Sequence, residues 1–149
     1  MILYFDSIAL VKRYVAERGS SEVEALIAEA AAAGTGLVSR PEIAAALAKA
    51  VRTGALARDD AEAALRLFRV QWPDFVRIQL TESVAARADR LAWEHNLRGY
   101  DSVHLASAVL WQEAMDVPVT LATFDAQLWQ AAHENGLQVF PAALPVRQA

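Results

Sequence analysis

The sequence contains no cysteine. A chain without cysteine has no disulfide bonds, no thiolate zinc site and no cysteine nucleophile, so these three kinds of chemistry are excluded. It also lacks any apolar run near the ~20 residues that a membrane-spanning helix requires, and its first residues lack the basic leader of a secretion signal. We therefore expect a cytoplasmic protein with no membrane partner.

Positive charge is not in excess either. The chain carries 14 Lys and Arg against 18 Asp and Glu, for a net charge of −4 and an isoelectric point near 5.3. A DNA-binding domain that relies on a basic surface is therefore disfavoured. The glycine-rich loops that cradle nucleotide phosphates are missing, as is the G-x-S-x-G turn of serine hydrolases. A phosphatase of the haloacid dehalogenase type would need an acid where Ile8 stands.

The 149 residues, 55% of them hydrophobic, suffice for one domain with its own core. No segment rich in Pro, Gly or Ser divides the chain. We therefore expect residues 1–149 to form a single domain.

Four short apolar segments and one alternating segment predict five strands, at residues 2–5, 36–39, 75–80, 119–122 and 137–140. The alternation in the third segment indicates an edge strand with one wetter side. Between the strands, apolar residues at helical spacing predict helices, and Gly34-Thr35-Gly36 is expected to end the second of them. Alternating strands and helices are typical of an α/β protein with a parallel sheet, which binds ligands beyond the carboxyl ends of its strands.

Four acidic residues fall at that edge of the predicted sheet. Asp6 follows the first strand, Glu42 lies shortly after the second, Asp125 follows the fourth, and Asp101 opens the helix that leads to the fourth. Each has an ordinary alternative interpretation. An aspartate is a favoured helix N-cap, and Ser39-Arg40-Pro41-Glu42 fits a capping box.

Four unrelated caps need not gather at one edge of one sheet, however. Carboxylates that do gather repel one another unless a cation offsets their charge. Hard divalent cations such as Mg²⁺ and Mn²⁺ prefer oxygen ligands and can generate a water nucleophile beside a phosphodiester. The spacing therefore favours a metal site.

The segments around these acids resemble the PIN-domain nucleases, especially the VapC toxins of toxin–antitoxin pairs. The resemblance extends from Ile2 to about Phe140. It is carried by four motifs, namely Ile-Leu-Tyr-Phe-Asp6-Ser7, Glu42 ahead of Ala-Ala-Ala-Leu47, Arg98-Gly-Tyr-Asp101-Ser-Val-His104-Leu-Ala106, and Thr123-Phe-Asp125.

The resemblance implies an α/β/α sandwich with a parallel sheet of about five strands in the order 3-2-1-4-5. It also implies a Mg²⁺-dependent endoribonuclease, with Mn²⁺ able to substitute, that hydrolyses RNA with a metal-activated water. A VapB-like antitoxin and a homodimer are the implied partners. The family's metal-binding and catalytic acids match Asp6, Glu42, Asp101 and Asp125, and its supporting hydroxyls match Ser7 and Thr123.

Four interpretations stay open at this point. Arg40 and Arg98 are candidates for contacts with RNA phosphates, although they also fit ordinary solvated charges. His104 is expected to be a buried histidine with one hydrogen bond rather than a ligand. The alanine-rich stretch from Ala44 to Ala64 fits an antitoxin groove or simple internal packing. The alternative to an enzyme is a non-catalytic partner-binding module on the same fold.

Overall fold

A computed structural model describes residues 1–146 and shows five strands. They are β1 (Ile2–Phe5), β2 (Ala32–Gly36), β3 (Val76–Ile78), β4 (Val119–Ala122) and β5 (Gln138–Phe140). All neighbouring strands pair in parallel, in the order β3-β2-β1-β4-β5. The predicted parallel sheet and its strand order are therefore confirmed.

Seven α-helices connect the strands, with a 3-10 turn over Trp72–Asp74. They are α1 (Ser7–Val11), α2 (Ser20–Glu29), α3 (Ser39–Arg52), α4 (Arg58–Gln71), α5 (Glu82–His95), α6 (Gly99–Met115) and α7 (Ala126–Glu134). Within residues 1–146, none of these helices is long and apolar enough to cross a membrane.

Strand β1 separates two hydrophobic cores. Leu3 and Phe5 point to one face, where they pack with helices α1 to α4, and Tyr4 points to the other, where it packs with α5 to α7. All three side chains are fully buried. A strand covered on both faces needs apolar residues at every position, which is why the unbroken apolar run predicted a central strand correctly.

The predicted position of the second strand, residues 36–39, is wrong, because β2 spans Ala32–Gly36. Of the predicted strand at 36–39, only Gly36 belongs to β2, residues 37 and 38 form a turn, and Ser39 begins α3. Gly34-Thr35-Gly36 is part of the strand rather than the end of a helix. Tertiary packing explains the unusual composition of this strand. A Cβ atom on Gly34 would lie 2.8 Å from ring carbons of Trp111, and one on Gly36 would lie 3.0 Å from the Tyr4 hydroxyl. Glycine in a strand often marks such a close approach.

Two smaller differences concern the ends of elements. Strand β3 is confirmed as an edge strand but is shorter than the predicted 75–80. Helix α6 begins at Gly99, so Asp101 lies within its first turn instead of opening the helix.

The contact between Gly34 and Trp111 yields a test of this packing. We expect Gly34→Ala to lower the free energy of unfolding by about 1–3 kcal/mol, because the indole ring and the Val76 carbonyl leave no room for a methyl group. Gly99→Ala is the matched control, since a Cβ there meets nothing within 4 Å. Urea unfolding of both variants measures the difference, and equal stabilities would contradict the packing argument.

Candidate active site

Asp6 lies at the carboxyl end of β1 and caps helix α1. Its Oδ1 accepts a hydrogen bond from the Ala9 amide at 2.8 Å, and its Oδ2 accepts one from the Thr123 hydroxyl at 2.5 Å. The residue is only 4% exposed. This burial raises the pKa of the Asp6 carboxyl, while nearby His104 and the two hydrogen bonds oppose the rise.

Thr123 ties two of the candidate acids together. Its hydroxyl, fully buried at the end of β4, donates to Asp6 and accepts a hydrogen bond from the Asp125 amide at 3.1 Å. Asp125 in turn caps helix α7, since its Oδ1 accepts from the Leu128 amide at 2.9 Å. The threonine therefore links the Asp6 side chain to the backbone of Asp125.

Asp101 and Asp125 both form ion pairs with Arg98. The Arg98 guanidinium reaches Asp101 Oδ2 at 3.2 Å through Nε and Asp125 Oδ2 at 3.5 Å through Nη2. Partial burial raises the pKa of the Asp101 carboxyl, as does the charge of Asp125, and Arg98 opposes both effects. Asp101 is not a helix cap, because no side chain caps α6 and Arg98 holds the N-cap position.

Glu42 projects from the first turn of α3 and is held by a histidine. Its Oε1 lies 2.8 Å from His104 Nε2, and His104 Nδ1 lies 2.8 Å from the Tyr4 hydroxyl. His104 is buried as expected, but it makes two hydrogen bonds instead of one. Because it stands one turn after Asp101 on α6, the helical spacing could have placed it on the same side of that helix.

The predicted capping box at Ser39 does not form. Val38 holds the N-cap position of α3, and the Ser39 hydroxyl pairs instead with the Thr35 hydroxyl at 2.6 Å. Thr35 donates in turn to the Phe5 carbonyl at 2.7 Å. These hydroxyls join the start of α3 to the end of β1. Glu42 does not bond back to Ser39 and instead contacts His104.

The four acids line one cleft made of two adjoining hollows. Asp6, Ile8, Arg98 and Asp101 border both hollows. The first extends to Asp125, Lys12 and Phe124, and the second to Ser7, Glu42, Tyr100 and His104. The structure thus brings together residues that are far apart in the sequence.

Of the two remaining predicted site residues, Ser7 borders the cleft and Arg40 does not. Ser7 is buried at the wall of the second hollow, beside Asp6. Arg40 is exposed and its guanidinium lies over the Trp72 ring, 6.0 Å from the centroid, and it does not border either hollow.

The chemistry of this cleft fits a hard divalent cation. All four acids offer oxygen donors, and two of them already share the positive charge of Arg98. Within the described residues, however, no three Asp, Glu or His side chains converge into a ready-made ligand cluster. A cation held by both Asp101 and Asp125 would compete with the Arg98 guanidinium for their oxygens.

Comparisons with known proteins identify the family of the chain. A family model described as "PIN domain" matches residues 3–136. Two ribonucleases of Mycobacterium tuberculosis, VapC45 and VapC49, are each 38% identical to the chain over 143 residues. Those alignments cover 96% of this chain and 97% of each relative.

Solved structures share the fold at low sequence identity. A toxin–antitoxin complex from Klebsiella pneumoniae matches with a TM-score of 0.65 at 19% identity, covering 96% of this chain and 98% of that one. FitAcB from Neisseria gonorrhoeae matches with a TM-score of 0.63 at 17% identity, covering 95% and 98%. VapBC2 from Rickettsia felis, bound to a DNA fragment from its promoter, matches at 0.64 and 13%, covering 93% and 97%.

Because burial and the charge of Asp125 raise the pKa of Asp101, its ionised carboxylate destabilises the folded protein. We therefore expect Asp101→Asn to stabilise the protein by about 1 kcal/mol in EDTA at pH 7. With a pKa that is higher in the folded than in the unfolded chain, the folded state binds more protons between the two values. The contribution of Asp101 to stability is therefore full below the unfolded pKa and is lost as the pH rises through the folded pKa.

Thermal unfolding between pH 4 and pH 7 measures this effect. The advantage of Asp101→Asn should shrink as the pH falls through the raised pKa of Asp101, because the wild-type carboxyl then gains a proton. Asp89→Asn, an exposed aspartate on α5, is the matched control. A variant that is less stable than the wild type at pH 7 would show that the ion pair with Arg98 outweighs burial and repulsion.

Proposed function

Because the chain belongs to the PIN-domain family, we propose that it is a Mg²⁺-dependent endoribonuclease and the toxin of a VapBC-type toxin–antitoxin pair. The observation that carries the proposal is the meeting of Asp6, Glu42, Asp101 and Asp125 at one cleft, from four separate segments of the chain. The proposal is also supported by the relatives named ribonucleases, which align with nearly the whole chain.

In this proposal, Asp6, Asp101 and Asp125 hold the metal, directly or through water. Glu42 either completes a second, weaker metal position or orients the attacking water. When bound, Mg²⁺ would supply positive charge at the scissile phosphate and lower the pKa of a water molecule. Thr123 keeps Asp6 Oδ2 turned towards the end of β4, so that Asp6 and Asp125 stay in a fixed relation.

Arg98 is the best candidate for contact with the RNA backbone. Its side chain is 81% exposed and is anchored only through its guanidinium, so it can turn outward when a metal takes its place between the aspartates. A guanidinium fork suits the oxygens of a phosphate. Arg40 stands outside the cleft and would meet the RNA only away from the scissile phosphate.

The proposed antitoxin would occupy the surface of the α3–α4 pair. Leu47 and Ala61 are buried between these helices, so part of the alanine-rich stretch serves internal packing. A shallow apolar groove remains beside them, with Ala44, Ala48 and Val51 among its lining residues. The solved complexes named above support a protein partner of this kind, and a homodimer belongs to the same proposal.

Cleavage of a pool of tRNA and rRNA tests the activity. We expect discrete fragments with Mg²⁺ or Mn²⁺ that disappear in EDTA, and products with a 5′-phosphate and a 3′-hydroxyl. Asp101→Asn should reduce the rate about 100-fold or more, because stabilisation of developing charge is usually the largest catalytic contribution. Asp89→Asn should cut like the wild type.

Three results would contradict this proposal. Identical fragments from the wild type and Asp101→Asn would indicate a contaminating nuclease. A 2′,3′-cyclic phosphate would exclude water as the nucleophile. Absence of cleavage together with tight binding of the antitoxin would favour the non-catalytic partner-binding module.

Metal binding can be measured without RNA. Mn²⁺ at 100 times its dissociation constant should stabilise the folded wild type by about 2.7 kcal/mol, because it binds the folded state only. Asp101→Asn should lose most of this stabilisation, whereas Asp89→Asn should keep it. Equal thermal shifts in all three proteins would place the metal away from the cleft.

A further inference from the structure

His104 is a core residue at the wall of the cleft, where its Nε2 contacts Glu42. Its side chain is only 2% exposed, and that of its partner Glu42 is 25% exposed. Helix α6 carries both His104 and Asp101, whereas Glu42 comes from α3. The hydrogen bond of 2.8 Å therefore joins two helices that carry different acids of the candidate site.

The tautomer of His104 sets the direction of both hydrogen bonds. An ionised carboxylate only accepts, so His104 Nε2 carries the proton and donates to Glu42 Oε1. In a neutral imidazole Nδ1 then accepts, and the Tyr4 hydroxyl donates to it at 2.8 Å. Tyr4, His104 and Glu42 thus form one chain of hydrogen bonds that runs from the core to the cleft.

The inner end of this chain is rigid. Tyr4 lies in the central strand and is fully buried, and its ring meets the imidazole edge-on with centroids 5.8 Å apart. Its hydroxyl lies beside Gly36, where a Cβ atom would come within 3.0 Å. The glycine in β2 therefore makes room for the group that holds His104.

The outer end presents a single oxygen. Glu42 Oε1 is engaged by His104, and Oε2 makes no hydrogen bond within residues 1–146. Without a partner, a glutamate side chain would rotate about three bonds, and ordering it costs conformational entropy. The contact with His104 orders the Glu42 side chain before any substrate binds.

We propose that His104 is a positioning residue for Glu42, which Tyr4 supports from behind, so that Glu42 acts on metal or water through Oε2 alone. This inference rests on the proposed function, because it names how one acid of that site is oriented. A histidine that merely fills the core would need no defined relation to Glu42.

Two substitutions of the same residue separate these roles. His104→Gln keeps an amide donor near the position of Nε2, whereas His104→Asn is too short to reach Glu42 and keeps only a partner for Tyr4. We expect His104→Gln to retain kcat within a few-fold. We expect His104→Asn to lose about 10–100-fold in kcat with little change in KM, as when an outer partner of a metal ligand is removed.

A double-mutant cycle identifies the route of the effect. If His104 acts through Glu42, adding His104→Asn to Glu42→Gln should cause little further loss of kcat. His95→Asn is the matched control, since His95 is a partly buried histidine that pairs with Asn135 outside the cleft. Equal losses in His104→Gln and His104→Asn, or additive losses in the double variant, would overturn the proposal.

A second measurement needs neither RNA nor metal. Nitrogen-15 NMR at pH 7 in EDTA should show His104 protonated at Nε2, with a side-chain N–H signal that shifts in Glu42→Gln. Protonation at Nδ1, or a signal that ignores Glu42→Gln, would overturn the proposal. If the wild type cuts no RNA, the proposed function fails, while this signal still decides whether His104 holds Glu42.

Discussion

The repulsion among four carboxylates at one edge of the sheet is the constraint that the surrounding structure has to satisfy. Burial strengthens the repulsion, and each acid is accordingly held by at least one partner. Asp6 takes hydrogen bonds from Thr123 and from a helix amide, Arg98 spans two further aspartates, and His104 holds the glutamate. These partners orient the carboxylates without neutralising all of them, so the cleft remains attractive to a cation.

The orienting partners depend on packing far below the cleft. Strand β2 is built of small residues because Trp111 covers Gly34 and the Tyr4 hydroxyl lies against Gly36. That hydroxyl is the same group that contacts His104. The small residues of the second strand are therefore part of the support of the site, and a substitution in the core can disturb the chemistry through a chain of contacts.

A protein with a net charge of −4 has little general attraction for RNA. In the function that we propose, the positive charge is local: a divalent cation among the carboxylates, and an arginine released from them. This arrangement restricts the interaction with phosphates to the cleft. It also gives Arg98 two successive partners, the aspartates first and the RNA afterwards, without any change in the fold.

The apolar periodicity and the acids that follow strands are local signals, so the sequence by itself determined the parallel sheet and the positions of the four acids. The strand order was implied only by the resemblance to the PIN-domain family. The sequence misplaced β2, since Ala-Ala-Gly-Thr-Gly looks locally like the end of a helix, whereas its pairing with β1 and β3 and the close approach of Trp111 arise only in the folded chain. It also missed the pairing of His104 with Glu42, which are 62 residues apart. Side-chain partners of this kind are decided by tertiary structure alone, because a hydrogen bond depends on distance and direction in space and leaves no period in the chain.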